Sequence, residues 1–218
     1  MRIDKAGWPF IAGALGPAAM LLVAGRPRLA APCAALAAFM AYFFRDPDRT
    51  VPGDPDVVVA PADGRVMVAG PARPGVAPPG EWLQVSIFLS PLDVHVNRIP
   101  VGGVVRRVVR RPGRFLAAYR PESALDNART EIWIDTGHEL VVVRQVVGVL
   151  ARRLVCRVGE GAVVHTGDRF GLMKFGSRMD VFLPPSATLL LGEGERTRGG
   201  ETVIARLARG GDAARAGT

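Results

Sequence analysis

TEIWIDTGHELVVVRQVVGVL, Thr130 to Leu150, is the stretch that decides the fold class. Its first arm sets Ile132 and Ile134 two apart on either side of Trp133, between Glu131 and Asp135, and its second follows Leu140 with a run of β-branched valines. Gly137 lies between them. Alternation at period two, β-branched enrichment and a glycine break read as two strands joined by a turn. The same signature recurs on both sides, in VVVA (Val57–Ala60), WLQVSIFL (Trp82–Leu89), the valine-rich stretch Val101 to Val109, LVCRV (Leu154–Val158), MDVFLP (Met179–Pro184) and TLLLG (Thr188–Gly192). Gly, Pro and Asp turns separate these segments at the spacing of an all-β domain. The expected fold is mainly β, a compact barrel or sandwich over residues 45–208, with one short helix near Ala151–Leu154. The small, polar tail Arg209–Thr218 is read as disordered, and no internal repeat is found.

The first 44 residues have another character. Trp8 to Gly25 carries no charge, Arg26-Pro27-Arg28 follows, and Leu29 to Phe44 is again uncharged. As a helix the first run spans about 27 Å, close to the hydrocarbon thickness of a bilayer. Pro17 and Pro32 are expected to kink the two runs. An apolar helical hairpin that associates with a membrane fits best, and a buried core hairpin is the alternative. A cleaved signal peptide fits less well, because arginines and a second apolar run follow the first.

The formal charge is +8 and aromatic content only 6%. Such a surplus suits an anionic membrane or an acidic substrate. Nucleic acid is not expected, because no basic helix interleaved with stacking aromatics is present. Cys33 lies in an apolar run, and neither it nor Cys156 has a partner at metal-ligand spacing. The histidines His95, His138 and His165 are scattered, so no metal site is expected.

Chemistry concentrates in GDRFGLMKFGSRMDVFLP, Gly167 to Pro184. A Gly-Ser bond between two apolar strands, with a glycine free to adopt unusual backbone angles, suits an N→O acyl shift. The Ser177 hydroxyl attacks the Gly176 carbonyl and the peptide becomes an ester. Loss of the Ser177 α-proton then expels the upstream chain as a carboxylate. Tautomerisation and hydrolysis release ammonia and leave a pyruvoyl group, whose ketone can condense with a substrate amine and act as an electron sink. Alone, Gly-Ser is more often a structural turn. Two other segments supply partners. PADGRV (Pro61–Val66) places Asp63 in a turn, and FLSPLDVHVNRIP (Phe88–Pro100) places Asp93 and His95 two apart, on one face if extended. Asp, His and Ser from separate segments are the parts of a base-activated nucleophile. Each also has a plain structural reading: Asp63-Gly64 as a turn pair, His95 as a half-buried strand residue, Asp93 as a turn support.

YFFRDPDR (Tyr42–Arg49), APADGRV (Ala60–Val66), FLSPLDVHVNRIP, DNARTE (Asp126–Glu131), VGVLARRLVC (Val147–Cys156) and GLMKFGSRMDVFLP together resemble the phosphatidylserine decarboxylase family, in order and spacing, over residues 42 to 184. The form resembled is the short one, with FGSR at the cleavage site. The resemblance implies decarboxylation of phosphatidylserine to phosphatidylethanolamine by a pyruvoyl cofactor made from Ser177. It implies cleavage after Gly176, a heterodimer of the chain's own large and small pieces, and a phospholipid substrate met at the membrane, on the cytoplasmic face. Asp63 is implied for the processing triad and His95 for decarboxylation. Longer members carry a second histidine where this chain has Arg98, which is always charged and cannot be a general base. Alternatives left open are a related serine lipid (archaetidylserine), a soluble amino acid, or a non-enzymatic membrane-anchored β-barrel module. Arg106, Arg107, Arg110 and Arg111 are read as able to face anionic lipid.

Overall fold

A computed structural model describes residues 2–149, 154–174 and 176–208. In chain order the strands and helices are β1 (Arg2–Ile3), α1 (Trp8–Val23), α2 (Pro27–Phe43), β2 (Arg45–Asp46), β3 (Val57–Val59), β4 (Gly64–Pro71), β5 (Leu83–Leu89), β6 (Val96–Arg98) and β7 (Gly103–Arg111). They continue with α3 (Ser123–Asp126), β8 (Arg129–Asp135), β9 (Leu140–Val146), β10 (Leu154–Cys156), β11 (Val163–Val164), β12 (Arg169–Met173), β13 (Ser177–Leu183), β14 (Thr188–Leu189), β15 (Arg196–Thr197) and β16 (Val203–Arg206). Eight strands form one antiparallel sheet in the order β11-β7-β8-β9-β13-β5-β4-β15. It curls into a half-barrel, as the mainly β expectation required. Two three-stranded sheets, β10-β12-β6 and β14-β16-β3, complete the β domain.

Period-two alternation explains the curl. Val85, Ile87 and Leu89 of β5, Ile132 and Ile134 of β8, Val141 and Val143 of β9, and Met179, Val181 and Leu183 of β13 all enter one core. They pack there against Val58, Phe170 and Ile204. Fully burying one such side chain contributes roughly 1.5–3 kcal/mol. The residues between them, Ser86, Glu131, Arg144, Arg178 and Asp180, turn to the opposite face and are buried as well. That second face is closed by the segment around Val76 and Ala124, which packs on Val142 and Phe182.

The N-terminal hairpin forms as expected, with Pro17 and Pro32 inside its helices. Small residues dominate its buried contact: Ile11, Ala14 and Ala18 of α1 and Ala30 and Ala37 of α2 are buried. Most of its large apolar side chains point outward. Its last turn belongs to the β domain by packing, because Phe43 and Phe44 join Val94, Val96 and Leu172 in a second core cluster.

Some details differ from the sequence reading. The helix expected near Ala151–Leu154 falls largely outside the described residues, as does the tail 209–218, and Leu154 begins β10 instead. Asp93 and His95 do not sit on an extended strand. Residues 91–93 form a turn, and regular pairing starts at Val96. The reason is local: Asp93 Oδ2 accepts from Ser90 N and Oγ at 2.8 and 2.7 Å, closing the turn on itself.

Candidate active site

Ser177 opens β13, opposite Leu89 of β5, and its side chain lies on the same face as Met179 and Val181. It is fully buried, yet its Oγ has no hydrogen-bond partner. The preceding Gly176 has φ +72°, in the left-handed region that favours glycine. Its carbonyl oxygen is crowded by Gly148, where any Cβ would overlap it. Asn127 fixes that contact. Its Nδ2 donates to Val147 O at 2.8 Å, while its Oδ1 accepts from Leu116 N, also at 2.8 Å.

His95 immediately precedes β6 of the neighbouring sheet, its carbonyl accepting from Met173 N at 3.2 Å. Its Nδ1 is 2.9 Å from the Asp93 carbonyl oxygen, which can only accept, so the proton resides on Nδ1. Nε2 is left as a bare lone pair, buried and without a partner. Phe43 covers the ring at 4.1 Å between centroids. Burial pushes the imidazole pKa down to about 4, against the opposing pull of Asp93 and with a small addition from Arg45. The ring is therefore neutral at physiological pH.

Two further polar residues share this region. Gln145 of β9 lies opposite Met179, two positions from Ser177, and its Nε2 donates to Asn97 Oδ1 at 2.8 Å. Asn97 Nδ2 and Gln145 Oε1 are buried and unpartnered. Among the described residues His95, Asn97, Gln145 and Ser177 each carry a buried polar atom without a partner, and Asn97 and Gln145 are in direct contact. Buried polar groups are paired in the great majority of cases, so each of these four asks for a reason other than stability.

The remaining candidates lie beside it. Asp63 precedes β4, which pairs with the strand next to Ser177. Its carboxylate is taken by Arg49 Nη2, at 2.8 and 3.0 Å, and by Gly199 N at 2.7 Å. It makes no hydrogen bond to His95 or Ser177 among the described residues. Arg98 is a clamp. Its guanidinium donates to Gly167 O, Asp46 Oδ1 and Pro47 O at 3.1, 3.2 and 2.8 Å, and Arg169 Nε reaches the other Asp46 oxygen at 2.6 Å. The linker after the hairpin is thereby tied to β6 and β12. Asp93 supports His95 through its backbone carbonyl, while its carboxylate holds the turn and meets Arg196 at 3.2 Å.

The family model described as phosphatidylserine decarboxylase matches residues 36–205. The chain belongs to that family. It is 49% identical over 168 residues to the phosphatidylserine decarboxylase proenzyme of Pelodictyon phaeoclathratiforme, covering 77% of this chain and 79% of that one. The proenzyme of Rhodococcus erythropolis is 47% identical over 216 residues, covering 94% and 87%. That of Mycobacteroides abscessus is 44% identical over 211 residues, covering 94% and 87%. The family match begins within α2, before Phe43 and Phe44, in keeping with their packing on the β domain.

Asn97, Gln145, Gly148 and Asn127 do not stand out in the sequence as site residues. Gln145 does leave a signal, since it holds an inward position two after Val143 in an otherwise apolar strand. Gly148 and Asn127 leave only their places in the family motifs. Their contacts join residues far apart in the chain, and spacing says nothing about such contacts.

Proposed function

We propose that this protein cleaves itself between Gly176 and Ser177 and then decarboxylates phosphatidylserine to phosphatidylethanolamine with the pyruvoyl group so formed. The observation that carries this reading is the buried, unpartnered Ser177 Oγ beside a left-handed Gly176, in a chain that also buries a neutral His95. A hydroxyl with no partner is free to turn on the carbonyl before it, and a neutral imidazole can take its proton. The Oγ–carbonyl carbon bond forms, the Gly176–Ser177 peptide C–N bond breaks, and the proton passes to the freed amine. His95 Nε2 next accepts the Ser177 α-proton as Gly176 departs as a carboxylate. Water then releases ammonia.

These residues fit a pyruvoyl group at position 177, since Ser177 is fully buried, the amide of Gln145 lies on the same face of the next strand, and His95 is a neutral base. When present, that group supplies an electron sink for the carbanion left as CO2 departs. His95 is then placed to hold and return a proton to the product. Asp63 acts by positioning, through Arg49 and Gly199, and Asp93 orients His95. The two pieces, residues 1–176 and 177–218, remain one folded body, because β13 is clasped between β5 and β9. The hairpin holds the protein to the membrane on its cytoplasmic face, which the substrate requires because its acyl chains stay in the bilayer.

A denaturing gel with intact-mass analysis tests this. Wild type should give the two pieces, the shorter one blocked at its N-terminus. Ser177→Ala should fold, since its lost hydroxyl had no partner, and remain a single inactive chain. Gly148→Ala should accumulate precursor, because its methyl displaces the Gly176 carbonyl. An active wild-type preparation that stays one polypeptide would falsify the reading.

A further inference from the structure

The outer face of the large sheet carries a second built site. Side chains of β7, β8 and β9 meet the segment 75–79 around a cavity of about 430 Å³. Arg107, Arg111, Arg129 and Arg144 line it with a single acid, Glu131. That acid is already shared, its Oε1 lying 3.0 Å from Arg144 Nη2 and 3.3 Å from Arg129 Nε. Among the described residues neither Arg107 nor Arg111 has an ion-pair partner. Asp180 sits opposite Arg144 in the sheet, but its Oδ1 is taken by Arg178 Nε at 2.6 Å. Positive charge therefore exceeds negative by three, whether four guanidiniums are set against Glu131 alone or Arg178 and Asp180 are added to both sides.

A second observation points the same way. Arg144 is 2% exposed and its Nε has no acceptor, and Trp133 Nε1, in the same wall, is also buried without one. The two unmet donors are costly where they are buried, while the exposed Arg107 and Arg111 add positive charge at the mouth that no acid offsets. An anion with several acceptor oxygens relieves both. Phosphate matches best, because it carries close to two negative charges and its oxygens suit forked guanidinium geometry from more than one side.

We propose that this cavity binds a phosphate-bearing anion, separately from the Ser177 centre on the opposite face of the same sheet. The phosphate belongs either to a lipid headgroup or to a soluble phosphomonoester. Trp133, in the wall of the site, forms an edge-to-face pair with Trp82, 6.2 Å between centroids, and provides the readout. The full chain carrying Trp8→Phe, in detergent at constant ionic strength, is titrated with inorganic phosphate and with glycerol 3-phosphate while tryptophan emission is followed. In a parallel arm it is mixed with phosphatidylcholine vesicles with and without phosphatidic acid. A saturable change in the first arm identifies a soluble ligand. A change only with phosphatidic acid identifies a headgroup. Either supports the site if Arg107→Ala and Arg111→Ala each weaken it at least about tenfold, ~1.4 kcal/mol, while Ser177→Ala does not. Arg106→Ala removes an equal charge from the exposed Arg106–Asp135 pair and should leave binding unchanged. No saturable change in either arm, or equal weakening by Arg106→Ala, overturns the proposal.

Discussion

His95 illustrates how a single side chain is tuned by what surrounds it. Burial under Phe43 strips the imidazole of its charge, and the Asp93 carbonyl fixes its proton on Nδ1, so Nε2 keeps a free lone pair. Its proton-accepting form therefore persists well below the ordinary histidine value of 6.5, down to about 4. The self-cleavage rate of freshly folded precursor should stay flat as pH is lowered through 6.5 and fall only near 4. A half-maximal rate near the ordinary value would exclude this buried histidine as the base. The same burial has a stability cost whose sign can be worked out. Between those two values the unfolded chain binds a proton that the folded chain does not, so stability is greatest above the upper value and declines as pH falls toward the lower. The loss from this one group is at most about 3 kcal/mol. Urea midpoints of Ser177→Ala, which stays one chain, measure it without interference from cleavage.

At the scale of elements, the end of α2 is the joint between the hairpin and the β domain. Phe43 and Phe44 are fully buried, stack edge-to-face at 5.0 Å between centroids, and pack on β6 and β12. Just beyond them Asp46 receives both Arg98 and Arg169. Packing and charge thus hold one short segment from two directions, and that segment roofs His95. Phe43→Ala should lower stability by about 3–5 kcal/mol, the usual cost of emptying an aromatic site. It should also open His95 to solvent and raise its pKa toward the ordinary value. Urea denaturation and histidine NMR titration check the two effects. A destabilised variant whose His95 titration is unmoved would show that Phe43 is not what keeps the ring neutral.

For the whole molecule the dominant asymmetry is apolar. Leu15, Met20, Leu22, Val23, Leu29 and Leu36 are exposed on the hairpin, with Trp8 and Tyr42 exposed at its base. Lys5–Val23 is long and apolar enough to cross a membrane, while Pro27–Phe43 is shorter. Exposed surface of this kind is costly in water and favourable in lipid, and aromatic residues at the base suit the headgroup layer. The full chain should sediment with membranes and stay bound through a high-salt wash, which screens charge but not apolar insertion. Removing residues 1–37, which leaves the Phe43–Phe44 joint in place, should release the β domain into the wash. Release of the intact chain by salt alone would assign binding to the basic surface instead.

Much of this protein is legible in its sequence because the chemistry involved is local. Valine-rich alternation specifies strands because side chains on a pleated backbone alternate faces, and the strands from Val57, Leu83, Gly103, Arg129, Leu140, Leu154, Ser177 and Thr188 follow from it. Two uncharged runs separated by Arg26-Pro27-Arg28 specify a hairpin because a helix exposes every side. The Gly176-Ser177 bond and His95 stand out only through the ordered motifs around them, since each alone has a plain structural reading. Strands such as Gly64–Pro71 and Arg169–Met173 escape that pattern, since glycine, arginine and proline interrupt it and pairing partners alone hold them extended. The pairings of Asp63 with Arg49, Arg98 with Asp46, and Gly148 with the Gly176 carbonyl bring together residues between 14 and 52 positions apart. Which face of a strand is roofed, whether a buried charge finds a partner, and how far a histidine's pKa moves all depend on contacts across the fold. Those were decided by the tertiary structure alone.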